Sequence, residues 1–168
     1  MSISFFDTKC QETTEKKRFG LCDDSHLAQN PAYLDEDDGA KWIAVVHNEK
    51  RYKVTFTAID NCIDIKTATN KMAKRCDGAL FYLSTVIFVE LKERSSSGSE
   101  WVKDAEKQLR VVIDYFEDAK EAAEYRDKKA YIANSQRPKF NENQTRRMNQ
   151  FFKDTGYILR IENRISLD

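Results

Sequence analysis

The chain has 168 residues, a third of them charged, and its 28 basic and 28 acidic residues cancel to a formal net charge of zero. That length suits one domain with a real core, and the balanced charge argues against nucleic-acid binding through bulk charge while permitting a local basic patch. Five Gly and two Pro leave little room for linkers or low-complexity segments.

The first residues, Met1 to Asp7, lack the basic and apolar regions of a signal peptide, and no apolar run reaches the length of a membrane span. A soluble, cytoplasmic protein is therefore expected, with no membrane contact. Its four cysteines, Cys10, Cys22, Cys62 and Cys76, show no CxxC spacing. That argues against a zinc site and leaves reduced thiols as the expectation.

Residues 1–40 carry the weakest pattern. Thr13 to Leu34 has patchy helical character, broken at Gly20 and Pro31, and Asp35 to Asp38 followed by Gly39 reads as a solvated turn. From Lys41 the pattern is β. Trp42 to His47 forms one strand, Asn48 to Arg51 a polar turn, and Tyr52 to Ile59 a second strand in which Val54 and Phe56 alternate with Lys53 and Thr55. His47, with no second histidine or cysteine spaced to join it, reads as structural. A polar stretch then carries Lys66, Lys71, Lys74 and Arg75 up to Asp77.

Gly78 to Val89 is uncharged and rich in β-branched and aromatic residues, and it is too long for one strand. A turn at Ser84 and Thr85 divides it into a hairpin of about Asp77–Leu83 and Val86–Lys92. The antiparallel ends bring Asp77 beside Glu90 and Lys92, and period-two alternation puts Glu90 and Lys92 on one face. A flexible Ser/Gly stretch follows to Ser99, the expected N-cap of a helix from Glu100 to about Glu121. Its apolar arc is Trp101, Ala105, Val112 and Phe116, flanked by Leu109 and Ile113. Gln108 falls inside that arc, either as a packed core amide or as a group directed into a site.

Lys129 to Ala133 is a short strand. Asn141 with Gln144 resembles a capping box that opens a helix to about Asp154, with Met148, Phe151 and Phe152 inward and Thr155-Gly156 as the stop. Tyr157 to Ile161 is the last expected strand. The order is β-β-β-β-α-β-α-β, an α/β sandwich with a mixed central sheet flanked by helices in one domain over residues 1–168, its core spanning about 40–165.

Two carboxylates converging at a sheet edge repel unless a cation lies between them. Mg2+ (or Mn2+) suits Asp77 and Glu90, with the Leu91 carbonyl as a third ligand, because such hard ions take oxygen donors and retain waters. A nearby lysine can orient a water or meet a phosphate. Acid, acid and lysine around one ion fit phosphodiester hydrolysis; the bland alternative is an ordinary Glu-Lys pair at a strand end.

Asp77, Glu90-Leu91-Lys92 and the Gln108 helix together resemble the PD-(D/E)xK nuclease superfamily, which has the restriction-endonuclease-like fold. Cys76 stands where the family has Pro. The resemblance covers about residues 40–165 by topology, and Asp77, Glu90 and Lys92 carry its motif. It implies a magnesium-dependent endonuclease, a hydrolase of DNA in DNA processing or defence, with Asp77, Glu90, Lys92 and Gln108 catalytic and Asp77, Glu90 and Leu91 on the metal. Many members add an upstream acid, for which Glu12, Glu15, Glu36, Asp60 and Asp64 are the candidates. Lys71, Lys74, Arg75, Lys92 and Arg94 would meet the nucleic-acid backbone, extended by Arg137, Lys139, Arg146 and Arg147, and cutting both strands would call for a homodimer. The alternative is a catalytically inactive module of the same fold that binds a protein or nucleic acid.

Overall fold

A computed structural model describes residues 3–24, 29–93, 99–136 and 144–168. In chain order its regular elements are β1 (Gln11–Thr14), β2 (Arg18–Cys22), β3 (Tyr33–Asp35), β4 (Ala44–His47), β5 (Val54–Ala58), β6 (Gly78–Tyr82), β7 (Thr85–Lys92), α1 (Glu100–Glu117), β8 (Asp127–Asn134), α2 (Thr145–Thr155), β9 (Ile158–Ile161) and β10 (Arg164–Ser166). Six strands form a mixed sheet in the order β1-β5-β6-β7-β8-β9, antiparallel from β1 to β7 and parallel from β7 to β9. The parallel half requires crossovers, and α1 and α2 supply them.

Period-two alternation along β7 decides how the layers stack. Val86 and Phe88 pack with Leu109, Val112 and Phe116 of α1 in one core, while Ile87, Val89 and Leu91 belong to a second core with Phe19, Leu21, Ala44 and Val46. Those last residues come from a four-stranded sheet, β10-β4-β2-β3, that covers the other face of the six-stranded one. The central hairpin is therefore buried on both sides, which is why its sequence reads as a continuous apolar run.

The α/β class with a mixed sheet is as expected, and a second sheet joins it. The helical reading of Thr13–Leu34 is corrected: β1, β2 and β3 lie there. Phe19 and Leu21 are fully buried against the six-stranded sheet, and the Trp42 indole occupies the space over Gly20, so tertiary burial overrides a weak local preference. The acidic turn is real and local. Asp35 Oδ2 accepts from the Asp38 N–H at 2.8 Å and from Trp42 Nε1 at 2.8 Å.

Helix α1 ends at Glu117, short of the expected Glu121, and a 3-10 turn occupies Lys120–Glu124. Ser99 stands at its N-cap without a side-chain cap bond. The whole expected arc of α1 is buried. In α2, Phe151 is buried but Phe152 is 53% exposed, because adjacent helical residues diverge and only Phe151 faces the sheet. Gly156 closes α2 in the left-handed region at φ 80°, its N–H bonding the Phe152 carbonyl at 2.8 Å. Asn141 of the expected capping box lies outside the described residues, and Gln144 stands at the N-cap itself, with no side-chain cap bond among the described residues and its carbonyl accepting from the Met148 N–H at 3.0 Å.

The expectation of four reduced thiols is also corrected. Cys10 and Cys62, 52 residues apart, form a disulfide with Cα atoms 6.0 Å apart, and Cys22 and Cys76 are buried free thiols. Strand β1 pairs antiparallel with β5, Gln11 facing Thr57, and this carries Cys10 to the turn that follows β5. Among the described residues no helix is long and apolar enough to cross a membrane.

Candidate functional site

The hairpin register sets Gly78 opposite Val89 and so brings Asp77 to Glu90. The bonds at that end are reciprocal. The Asp77 N–H donates to Glu90 Oε1 at 3.1 Å, and the Leu91 N–H donates to Asp77 Oδ2 at 2.7 Å. Asp77 is 5% exposed and Glu90 2%. The two carboxyls are close enough to hydrogen-bond one another, which at this burial requires a proton or a cation between them. Burial pushes Asp77 well above the ordinary carboxylate range, and the charge of Glu90 and its bond to Asp77 push it further. Glu90 is also raised by burial, opposed by Lys92 and by the bond from Asp77. Asp77 is thus raised by burial and by Glu90 alike, whereas Lys92 opposes the rise at Glu90.

Glu90 and Lys92 share the face of β7 that meets α1. Lys92 Nζ lies 3.0 Å from Glu90 Oε2 and donates to Gln108 Oε1 at 3.1 Å. Gln108 Nε2 donates in turn to the main-chain carbonyl of Arg75 at 3.1 Å. Gln108 thus belongs to this cluster rather than to the apolar packing of α1. Asp77, Glu90, Lys92 and Gln108, the four catalytic candidates, are brought together.

Leu91, the third metal-site candidate, behaves differently. The Leu91 side chain faces the second core, and its N–H donates to Asp77 Oδ2. Among the described residues no three His, Cys, Asp or Glu side chains gather as a metal-holding group. The donor chemistry nevertheless fits a hard ion: two buried carboxyls lie side by side, and a divalent ion between them would meet oxygen donors.

Of the upstream acids, Glu12 accepts from the Leu34 N–H at 2.8 Å and Glu36 from the Thr14 hydroxyl, both within the β1–β3 region. Glu15 and Asp64 are exposed. Asp60 is the one beside the cluster, its N–H bonded to the Cys76 carbonyl at 3.2 Å and its carboxylate 3.2 Å from the Arg75 guanidinium. Burial raises its pKa, with Arg75 and then Lys92 pulling down and Asp23 pushing up. Asp23, just after β2, also raises Asp77. It was missed because an acid after a short apolar run carries no signal of what the fold sets beside it.

The basic surface divides. Lys71, Lys74 and Arg146 are exposed, but Arg75 pairs with Asp60, Lys92 with Glu90, and Arg147 with Glu106 at 3.0 Å. Arg94, Arg137 and Lys139 lie outside the described residues. No protein-family model, no curated protein and no solved structure matches this chain.

Proposed function

We propose that this chain is a metal-dependent nuclease of PD-(D/E)xK type and restriction-endonuclease-like fold, hydrolysing phosphodiester bonds in DNA, in DNA processing or defence. The observation that carries the reading is the four-part cluster, in which Glu90 reaches both the Asp77 backbone and the Lys92 ammonium while Gln108 holds that ammonium from α1. The strand sequence β5-β6-β7, with α1 leading to β8 and α2 to β9, supports the same plan.

Asp77 and Glu90 would hold Mg2+ or Mn2+, with the Leu91 carbonyl as the third protein ligand. The ion would supply Lewis-acid charge at the scissile phosphate and an acidified water. Lys92 has three N–H donors; Glu90 and Gln108 take two, leaving one for a phosphate oxygen or the attacking water. Gln108, bonded on its other side to Arg75, fixes where that free N–H is aimed. Exposed Lys71 and Lys74 offer phosphate contacts before the site.

The test is incubation of purified protein with DNA and RNA in Mg2+ or Mn2+. Asp77→Ala, Glu90→Ala and Lys92→Ala are each expected to lower cleavage by about 10²-fold or more. Cleavage that survives Glu90→Ala counts against the assignment. Double-strand cutting by so small a domain would pair two copies, which light scattering on the free protein measures.

One feature favours the inactive-module reading: Asp77, Glu90 and Lys92 satisfy one another, as members of a purely structural network would. Calorimetric titration with Mn2+ separates the two. Heat of binding that disappears in Asp77→Ala and Glu90→Ala supports the nuclease, and its absence in the wild type supports the module.

A further inference from the structure

Between Asp60 and Cys76 the chain leaves the six-stranded sheet and returns. The excursion is held internally, by Thr67 N–H to the Lys71 carbonyl at 2.7 Å and Ala73 N–H to the Ile65 carbonyl at 2.7 Å. At its base the main chains of the two arms meet through Ile59 N–H to the Asp77 carbonyl at 2.9 Å and Asp60 N–H to the Cys76 carbonyl at 3.2 Å. Arg75 closes that base. Its guanidinium reaches back across the opening to Asp60 Oδ1 at 3.2 Å and to the Ile63 carbonyl at 2.9 Å, with the side chain only 12% exposed. Its Nε is buried and has no hydrogen-bond partner among the described residues. An arginine held in this way gives up hydration for a fixed position rather than for a complete set of bonds.

The carbonyl of this same residue accepts Gln108 Nε2. A glutamine amide has a donor end and an acceptor end, and its neighbours decide which way round it sits. A carbonyl at Arg75 can only accept, so it selects the orientation that presents Oε1, the acceptor end, to the Lys92 ammonium. A flipped amide would turn its NH2 toward the ammonium and remove one of the two acceptors that hold Lys92.

We propose that Arg75 is a positioning residue: by clasping Asp60 and Ile63 it fixes its own carbonyl, which sets the Gln108 amide and through it the aim of Lys92. The catalytic consequence rests on the nuclease reading above; the ordering of the amide does not. Arg75 acts through Gln108 and makes no contact with substrate.

Two measurements on the full chain test this. The first needs no activity: hydrogen exchange of the Gln108 side-chain amide, followed by NMR in metal-free 15N-labelled protein and assigned by its loss in Gln108→Leu. Arg75→Ala is expected to speed that exchange at least about tenfold, with Arg75→Lys in between, since lysine keeps the charge toward Asp60 but not the fork. Unchanged exchange in folded Arg75→Ala overturns the proposal. Should Arg75→Ala fail to fold, Asp60→Asn removes the charge that the guanidinium grips while keeping the side chain's shape. Faster amide exchange there supports the proposal and unchanged exchange overturns it.

The second measurement is Mn2+-supported cleavage of a labelled DNA duplex. Arg75→Ala is expected to lower kcat about tenfold or more with KM within about twofold, and Arg75→Lys to recover part of the loss. A raised KM with kcat retained would make Arg75 a substrate contact and overturn the positioning role. Wild-type protein that does not cleave refutes the nuclease reading while the amide result still decides the ordering claim.

Discussion

Asp77 and Glu90 set the energetic character of the site. Two carboxyls 5% and 2% exposed and bonded to one another destabilise the fold whenever both are ionised. An amide at position 77 would remove that conflict, because Asn can still accept from the Leu91 N–H and adds N–H donors toward Glu90. Asp77→Asn is therefore expected to stabilise the metal-free protein at neutral pH, within the roughly 0.5–3 kcal/mol span of single substitutions, and on the proposed nuclease reading to abolish cleavage. The raised pKa of Asp77 gives this difference a pH dependence. A group with a raised folded-state pKa contributes stability below its unfolded pKa and loses it as pH rises through the folded one. The advantage of Asp77→Asn over wild type should thus be small near pH 4 and grow toward pH 8 on the approximate scale of model carboxylate titration, as thermal midpoints would show. A difference that shrinks with pH would contradict the raised pKa of Asp77.

The hairpin β6–β7 is the element that makes those residues neighbours, and its start is sterically exacting. A Cβ at Gly78 would lie 2.4 Å from the Phe56 ring and 2.7 Å from the Thr57 carbonyl oxygen, and backbone cannot easily move aside in a central strand. Gly78→Ala should cost about 1–3 kcal/mol in denaturant unfolding and, by shifting the chain next to Asp77, should also weaken the Mn2+ binding that the proposed nuclease reading calls for. Stability loss without any change in ion binding would separate the hairpin's packing from the site. The hairpin and α1 were the most readable parts of the chain. Their signals are local: a long β-rich apolar run, charges at one end, and Trp101, Ala105, Leu109, Val112 and Phe116 at helical spacing. Phe152 was misjudged because the apolar side chain of an adjacent residue, Phe151, was assigned the same face.

At the scale of the molecule, the central sheet is covered by helices on one face and by a second sheet on the other, and the Cys10–Cys62 disulfide ties the start of the chain to the turn after β5. Closing a 52-residue separation in the unfolded chain should be worth about 4 kcal/mol by the chain-entropy model. Cys10→Ser with Cys62→Ser is expected to lower stability by an amount on the order of 2–5 kcal/mol, measured by denaturant unfolding, and wild type should fall to the same level under a dithiol reductant. No change in either would mean that the sheet alone holds the two segments together. Because Cys62 lies two residues beyond Asp60, the reduced protein also offers a check on how firmly the base of the Arg75 loop is held.

The class of the fold, the central hairpin, the two helices and the meeting of Asp77, Glu90 and Lys92 were all legible in the chain. Each follows from alternation, helical spacing or one tight turn, and so from interactions between residues close in sequence. The second sheet, the disulfide, the nearness of Asp23 and Asp60 to the acids, and the Arg75 carbonyl beneath Gln108 were not legible. They depend on which segments pair across long separations, and that is settled by burial of whole faces, a free energy no local stretch of residues carries. In that way four residues recognisable by type at the ends of two strands became one cluster, whose orientation depends on an arginine that the sequence offered only as surface charge.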